Sequence, residues 1–174
     1  MSQPSRSPRR RPIRGKRFVL VASRFNPSIS APLRQGALDV LRRAGVTARQ
    51  IRTVWVPGAF ELPAAAARVA ATRPKPHAII ALGALIRGQT PQYAAIAHAA
   101  AEGLALVSVN AVIPVTLGVI VADSMAQAKA RAGPPTKIVG GGAKGPIGNR
   151  GAEAAMAALE MVRMFHDGRI ARSA

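Results

Sequence analysis

The sequence predicts an α/β fold, a four-stranded parallel sheet with helices on both faces. Three observations carry this expectation. Short apolar runs alternate with stretches of helical period along most of the 174 residues. One run, HAIIALGALI at 77–86, is apolar throughout, as a strand buried on both faces should be. Turn and cap residues stand at most boundaries between the runs.

The elements follow in order. RFVLVAS (17–23) is short, rich in Val and Phe, and bounded by polar residues, so it reads as a buried strand. Next comes a helix that places Ile29, Leu33, Ala37, Val40 and Leu41 on one face, with Gly45 as its stop. IRTVWVPG (51–58) is a second strand, ended by Pro57 and Gly58. AFELPAAAARVAAT is helical, with Pro63 tolerable only in its first turn. Residues 77–86 form the third strand and 91–103 a helix. The pattern of LALVSVNAVI (104–113) suits a strand or the tail of that helix equally well. PVTLGVIVA (114–122) is the fourth strand, after which Asp123 or Ser124 caps a short helix. GAEAAMAALEMVRMFHDG closes the chain as a helix stopped at Gly168.

Composition bounds the function. The length suits one domain. There is no cysteine, so disulfides, thiolate metal sites and a cysteine nucleophile are excluded. The three histidines, His77, His98 and His166, have no metal-ligand spacing, and neither a metal nor a cofactor is expected. No uninterrupted apolar run has the length of a membrane span, and a cytoplasmic protein is expected. The net charge is +18, and residues 1–17 carry seven Lys or Arg and no acid. The rest of the chain holds +11, from eighteen basic and seven acidic residues. So much charge attracts polyanions, although a solvated basic surface is the simpler explanation. Residues 1–16 read as a disordered basic tail, 17–168 as the domain and 169–174 as a short C-terminal tail.

In a parallel sheet, ligands sit beyond the carboxyl ends of the strands. Three loops lie there: Ser23 to Asn26, Pro57 to Glu61, and Arg87 to Thr90. Phe25 follows a strand directly and could stack on a flat heterocycle, or simply pack in its loop. Glu61 near a helix start can bind a polar ring edge, or only favour the helix dipole. RGQT (87–90) offers backbone N–H groups and a helix N-terminus to a phosphate. It also reads as an ordinary start, with Thr90 as cap and Pro91 at the first position. GGGAKG (140–145) lacks the following βαβ unit that a dinucleotide fingerprint requires, and reads as a glycine-rich loop.

Together SRFN (23–26), VPGAFELP (56–63), ALGALIRGQT (81–90), PVTLGV (114–119), RAG (131–133) and GNRGAEAAMAALEM (148–161) resemble the 6,7-dimethyl-8-ribityllumazine synthase family, over residues 17–166 or so. The resemblance implies a flavodoxin-like three-layer αβα sandwich and assigns the first half of 104–113 to the third helix. It implies a transferase that condenses a ribityl-substituted diaminouracil with a dihydroxybutanone phosphate, without cofactor or metal. By the same resemblance Phe25 stacks on the pyrimidine. Ala59, Phe60, Glu61, Ala84, Leu85 and Ile86 line the uracil and ribityl site. Gln89, Thr90 and Arg131 hold the phosphate, and Arg150 and Glu153 match a basic and an acidic position near the last helix. Family members form pentamers, with sites shared between neighbours. A pentamer or decamer is expected here rather than a shell of twelve pentamers.

Three positions depart from the family pattern. Gln92 stands where the family has a histidine that shuttles protons, and glutamine cannot titrate. Leu117 replaces an aromatic wall of the substrate site. Fourteen residues (134–147), including Lys137 and Lys144, separate RAG from GNRG, where the family has only a few. The sequence therefore leaves open a slow enzyme, a non-catalytic scaffold that holds a heterocycle, and a polyanion binder led by the tail.

Overall fold

The computed structural model describes residues 13, 15–133 and 148–166. The expected basic tail up to residue 12, the 134–147 loop and the Gly168 stop lie outside them. Strands β1 (Phe18–Ser23), β2 (Ile51–Val56), β3 (Ala78–Ile86) and β4 (Val115–Ala122) alternate with helices α1 (Pro27–Arg43), α2 (Leu62–Ala70), α3 (Gln92–Ala111) and α4 (Met125–Ala132). Helix α5 (Arg150–His166) closes the described chain. All strand pairs are parallel, in the order β2-β1-β3-β4.

Alternation along the strands divides the core into two layers. Phe18, Leu20 and Ala22 of β1, with Ala78, Ile80 and Leu82 of β3, face α1, α4 and α5. Val19 and Val21, with Ile79, Ala81 and Leu85, face α2 and α3. A period of two on a sheet covered on both sides gives this three-layer sandwich. The face predicted for α1 (Ile29, Leu33, Ala37, Val40 and Leu41) is buried in the first layer. Ile13, assigned to the tail on sequence, is buried in that layer too, and the Lys16 carbonyl accepts a hydrogen bond from Gln50 Nε2.

The undecided stretch is helical to Ala111, so α3 is a single 20-residue helix. Its mean hydropathy of 1.3 and its length would let it cross a membrane. Counting uninterrupted runs overlooks this, because Gln92, His98, Glu102 and Asn110 break the run. Within the domain α3 packs on α2, β3 and β4. Its outer side exposes Leu106 and Val109, with Val112 beyond its end. One predicted cap changes, and one open choice between two residues is decided. Pro91, not Thr90, is the α3 cap residue and Gln92 begins the helix. A proline lacks the N–H whose loss is harmless there, so the start shifts by one residue at little cost. For α4 the cap is Ser124, whose hydroxyl accepts from the Gln127 N–H.

Asn149 joins three helices. It is 3% exposed. Its amide donates to the carbonyls of Pro32 in α1, of Ala132 at the end of α4, and of Gly133. Its Oδ1 accepts from Ala152 N–H, which caps α5. Glycine makes this crossing possible: a Cβ on Gly36 would collide with Asn149, and one on Gly151 with the Leu33 carbonyl.

Candidate functional site

The chain runs from β1 outward to β2, then returns to place β3 on the other side of β1. The reversal opens a crevice beyond the carboxyl ends of β1 and β3, where an open α/β sheet binds ligands. A cleft of about 260 Å³ lies there. Phe25 and Asn26 line it from the β1 loop, Ala84, Leu85 and Ile86 from β3, and Gly88, Thr90, Gln92, Tyr93 and Ile96 from the loop and helix beyond.

Phe25 is held by its backbone and free in its ring. Its N–H donates to the Pro57 carbonyl and lies 3.2 Å from Ser23 Oγ. Its carbonyl accepts from Ser30 Oγ at 3.1 Å. Both serines are fully buried. Asn26 follows in the left-handed region at φ 57 and turns the chain into α1. Phe25 is nevertheless 68% exposed. Core packing does not hold it there, so it is available to a planar ligand.

The β2–α2 loop lies alongside, joined by the Phe25–Pro57 hydrogen bond. Ala59 is buried and Phe60 is 61% exposed. The Glu61 carboxylate accepts from the Gly58 N–H at 2.7 Å and so closes this loop. None of these three is among the residues that line the cleft.

Opposite Phe25, β3 delivers the chain into α3. The Arg87 N–H extends the β3–β4 ladder by donating to the Ala122 carbonyl at 2.9 Å. Gly88, Gln89 and Thr90 then turn exposed into the helix. Thr90 and Gln92 line the cleft and Gln89 does not. No side chain caps α3; the Ala94 N–H donates to the Pro91 carbonyl at 3.0 Å, which leaves the N–H groups of Gln92 and Tyr93 at the helix start to serve an acceptor.

The other expected site residues lie elsewhere in this chain. Leu117 is 47% exposed on edge strand β4 and pairs with Ala81. It is five residues, or roughly 16 Å, from the carboxyl end of β4. Arg131 is exposed in the last turn of α4, on the α1/α5 side of the sheet. Arg150 and Glu153 pair with each other at 2.7 Å. The cleft also includes Tyr93 and Ile96, which sequence reasoning did not single out, and Asn26 and Gly88, which it placed in the candidate loops without a role of their own. Tyr93 is the chain's one tyrosine, next to Gln92, and those were its only sequence signals.

Residues 15–166 match the sequence profile of 6,7-dimethyl-8-ribityllumazine synthase. The chain belongs to that family. A lumazine synthase of Gemmatimonas aurantiaca is 43% identical over 151 residues, covering 87% of this chain and 85% of that protein. The lumazine synthase of Prosthecochloris aestuarii is 45% identical, with 87% and 90% covered, and that of Chlorobium limicola is 44% identical, with 86% and 88% covered.

Proposed function

We propose that this chain condenses a ribityl-substituted diaminouracil with a dihydroxybutanone phosphate to form 6,7-dimethyl-8-ribityllumazine. The observation that carries the reading is a cleft at the sheet's switch point, in a chain that matches the lumazine synthase family over residues 15–166. The pyrimidine stacks on Phe25. Ala84, Leu85 and Ile86, with Ala59, Phe60 and Glu61 of the adjoining loop, line the uracil and ribityl site. Thr90, Gln89 and the α3 N-terminus bind the phosphate. The substrate amine attacks the ketone to give an imine, phosphate departs, and the second ring closes. Proximity and orientation supply much of the acceleration. Gln92 binds by hydrogen bonds alone, so the general acid–base contribution of a histidine there, roughly 10²–10⁴-fold, is reduced or supplied by another group.

Arg131 and Leu117 are distant from their own chain's cleft. They serve a neighbouring copy's cleft in a pentamer or decamer. The exposed apolar groups Leu106, Val109 and Val112 on the α3 side and Leu117 and Val121 on β4 support burial of these surfaces between copies. The enzyme is cytoplasmic and needs no cofactor. Its basic N-terminal segment makes salt-sensitive polyanion contacts apart from the cleft.

The test is product formation from the two substrates, followed optically beside an enzyme-free control and a Gln92→His variant. Native turnover above the control supports the enzyme. Native rate equal to the control, with turnover restored in Gln92→His, would make the native chain a non-catalytic relative with an intact pocket.

A further inference from the structure

Gln92 raises the question of which group moves protons in this cleft. Of the ten residues that line it, Tyr93 is the only one whose side chain ranks among the usual acid–base groups. Its ring packs against the core layer under α3, beside Ile96. Its hydroxyl donates to Asp123 Oδ1 at 3.3 Å. That contact is long, as catalytic hydrogen bonds often are before substrate tightens them. Asp123 is held in turn. Its backbone N–H donates to Gln127 Oε1 at 2.8 Å, and Arg87 Nη1 lies 3.9 Å from the same Oδ1. A phenol between substrate and carboxylate can accept one proton while releasing another.

We propose that Tyr93 is a catalytic residue of this enzyme, relaying protons between substrate and Asp123 where Gln92 cannot. The inference rests on the condensation proposed above. When the primary amine adds to the ketone, the C–N bond forms and the carbonyl π pair moves to oxygen. A proton leaves the nitrogen for Tyr93 Oη as the phenol's own proton passes to Asp123 Oδ1. The relay runs backwards to protonate the alkoxide. A second cycle takes the remaining amine proton to the hydroxyl, which leaves as water as C=N forms. Nitrogen loses two protons, the departing oxygen gains two, and Tyr93 and Asp123 end as they began. Asp123 acts through Tyr93 and is a positioning residue.

The experiment is a four-variant cycle in the full chain: native, Tyr93→Phe, Gln92→His, and both changes together, with kcat and KM measured against the uncatalysed rate. Phenylalanine keeps the packed ring and removes only the hydroxyl. The expected result is a fall in kcat of roughly 10²-fold for Tyr93→Phe in the native background, with KM little changed. In the Gln92→His background the same change should cost no more than about threefold, because the introduced imidazole then moves the proton. Asp123→Asn should likewise lower kcat in the native background and spare it in the Gln92→His background. Equal losses in both backgrounds would mean a structural role and overturn the relay. An undiminished native-background Tyr93→Phe would overturn it as well, while leaving the condensation standing. A native chain no faster than the uncatalysed rate would overturn the condensation and the relay together.

Discussion

Replacing Asn149 by alanine should loosen the helix layer formed by α1, α4 and α5. The side chain holds four backbone groups: the carbonyls of Pro32, Ala132 and Gly133, and the N–H of Ala152. Losing the cap on α5 costs about 1 kcal/mol. The Ala132 bond is buried, and an orphaned buried acceptor costs about 1–3 kcal/mol. The other two carbonyl bonds are only partly buried, so water replaces the amide there at small cost. The total is roughly 2–4 kcal/mol, which lowers the melting temperature by roughly 5–15 °C for a chain of this size. Thermal and urea unfolding at one chain concentration measure it, since assembly adds its own stabilisation. Asn149→Asp separates the contributions. It keeps an acceptor for Ala152 but turns a carboxylate toward three carbonyl oxygens, so it should be at least as damaging as alanine. A loss below about 1 kcal/mol for alanine, or an aspartate variant as stable as the native chain, would refute this account of the clasp.

Four further outcomes are expected. Gly151→Ala should cost about 1–3 kcal/mol in urea unfolding, because the new methyl meets the Leu33 carbonyl, backbone that cannot swing aside. Phe25→Ala should raise the KM for the pyrimidine about tenfold with a smaller change in kcat, since the role proposed for the exposed ring is stacking, without proton transfer. Val109→Asp should shift the sedimentation of the assembly toward smaller species while the circular dichroism of the chain is kept, because the α3 face that carries Val109 is apolar and exposed in one chain. Deleting residues 1–12, which leaves the buried Ile13 in place, should sharply reduce salt-dependent retention on heparin and leave turnover unchanged.

Much of this fold can be read in the sequence, because each buried strand and each one-sided helix carries its own period. The exception at 104–111 has a physical cause. Leu104 points into the core, but Leu106 and Val109 point out and are equally apolar, so no single period distinguishes helix from strand. The start of α3 shifted by one residue because Thr90 and Pro91 can each occupy the cap position. The cleft was legible where its residues lie in the loops just beyond a strand, as Phe25 does after β1 and Thr90 between β3 and α3. Tyr93 was not, since its significance depends on Asp123, which β4 brings to it from thirty residues along the chain. Nor was the clasp on Asn149, which collects carbonyls from two segments far from it in sequence. The distance of Leu117 and Arg131 from the cleft appears only once the strands are in register.

The central claim is that the crevice between the β1 and β3 ends is the substrate site of a lumazine synthase. A crystal structure of the assembled chain with a stable ribityl-pyrimidine analogue and inorganic phosphate tests it most directly. The account predicts the pyrimidine against Phe25, the phosphate at Thr90 and the start of α3, and Arg131 reaching that phosphate from a neighbouring copy. An analogue bound elsewhere, or a phosphate held away from the α3 N-terminus, would contradict it.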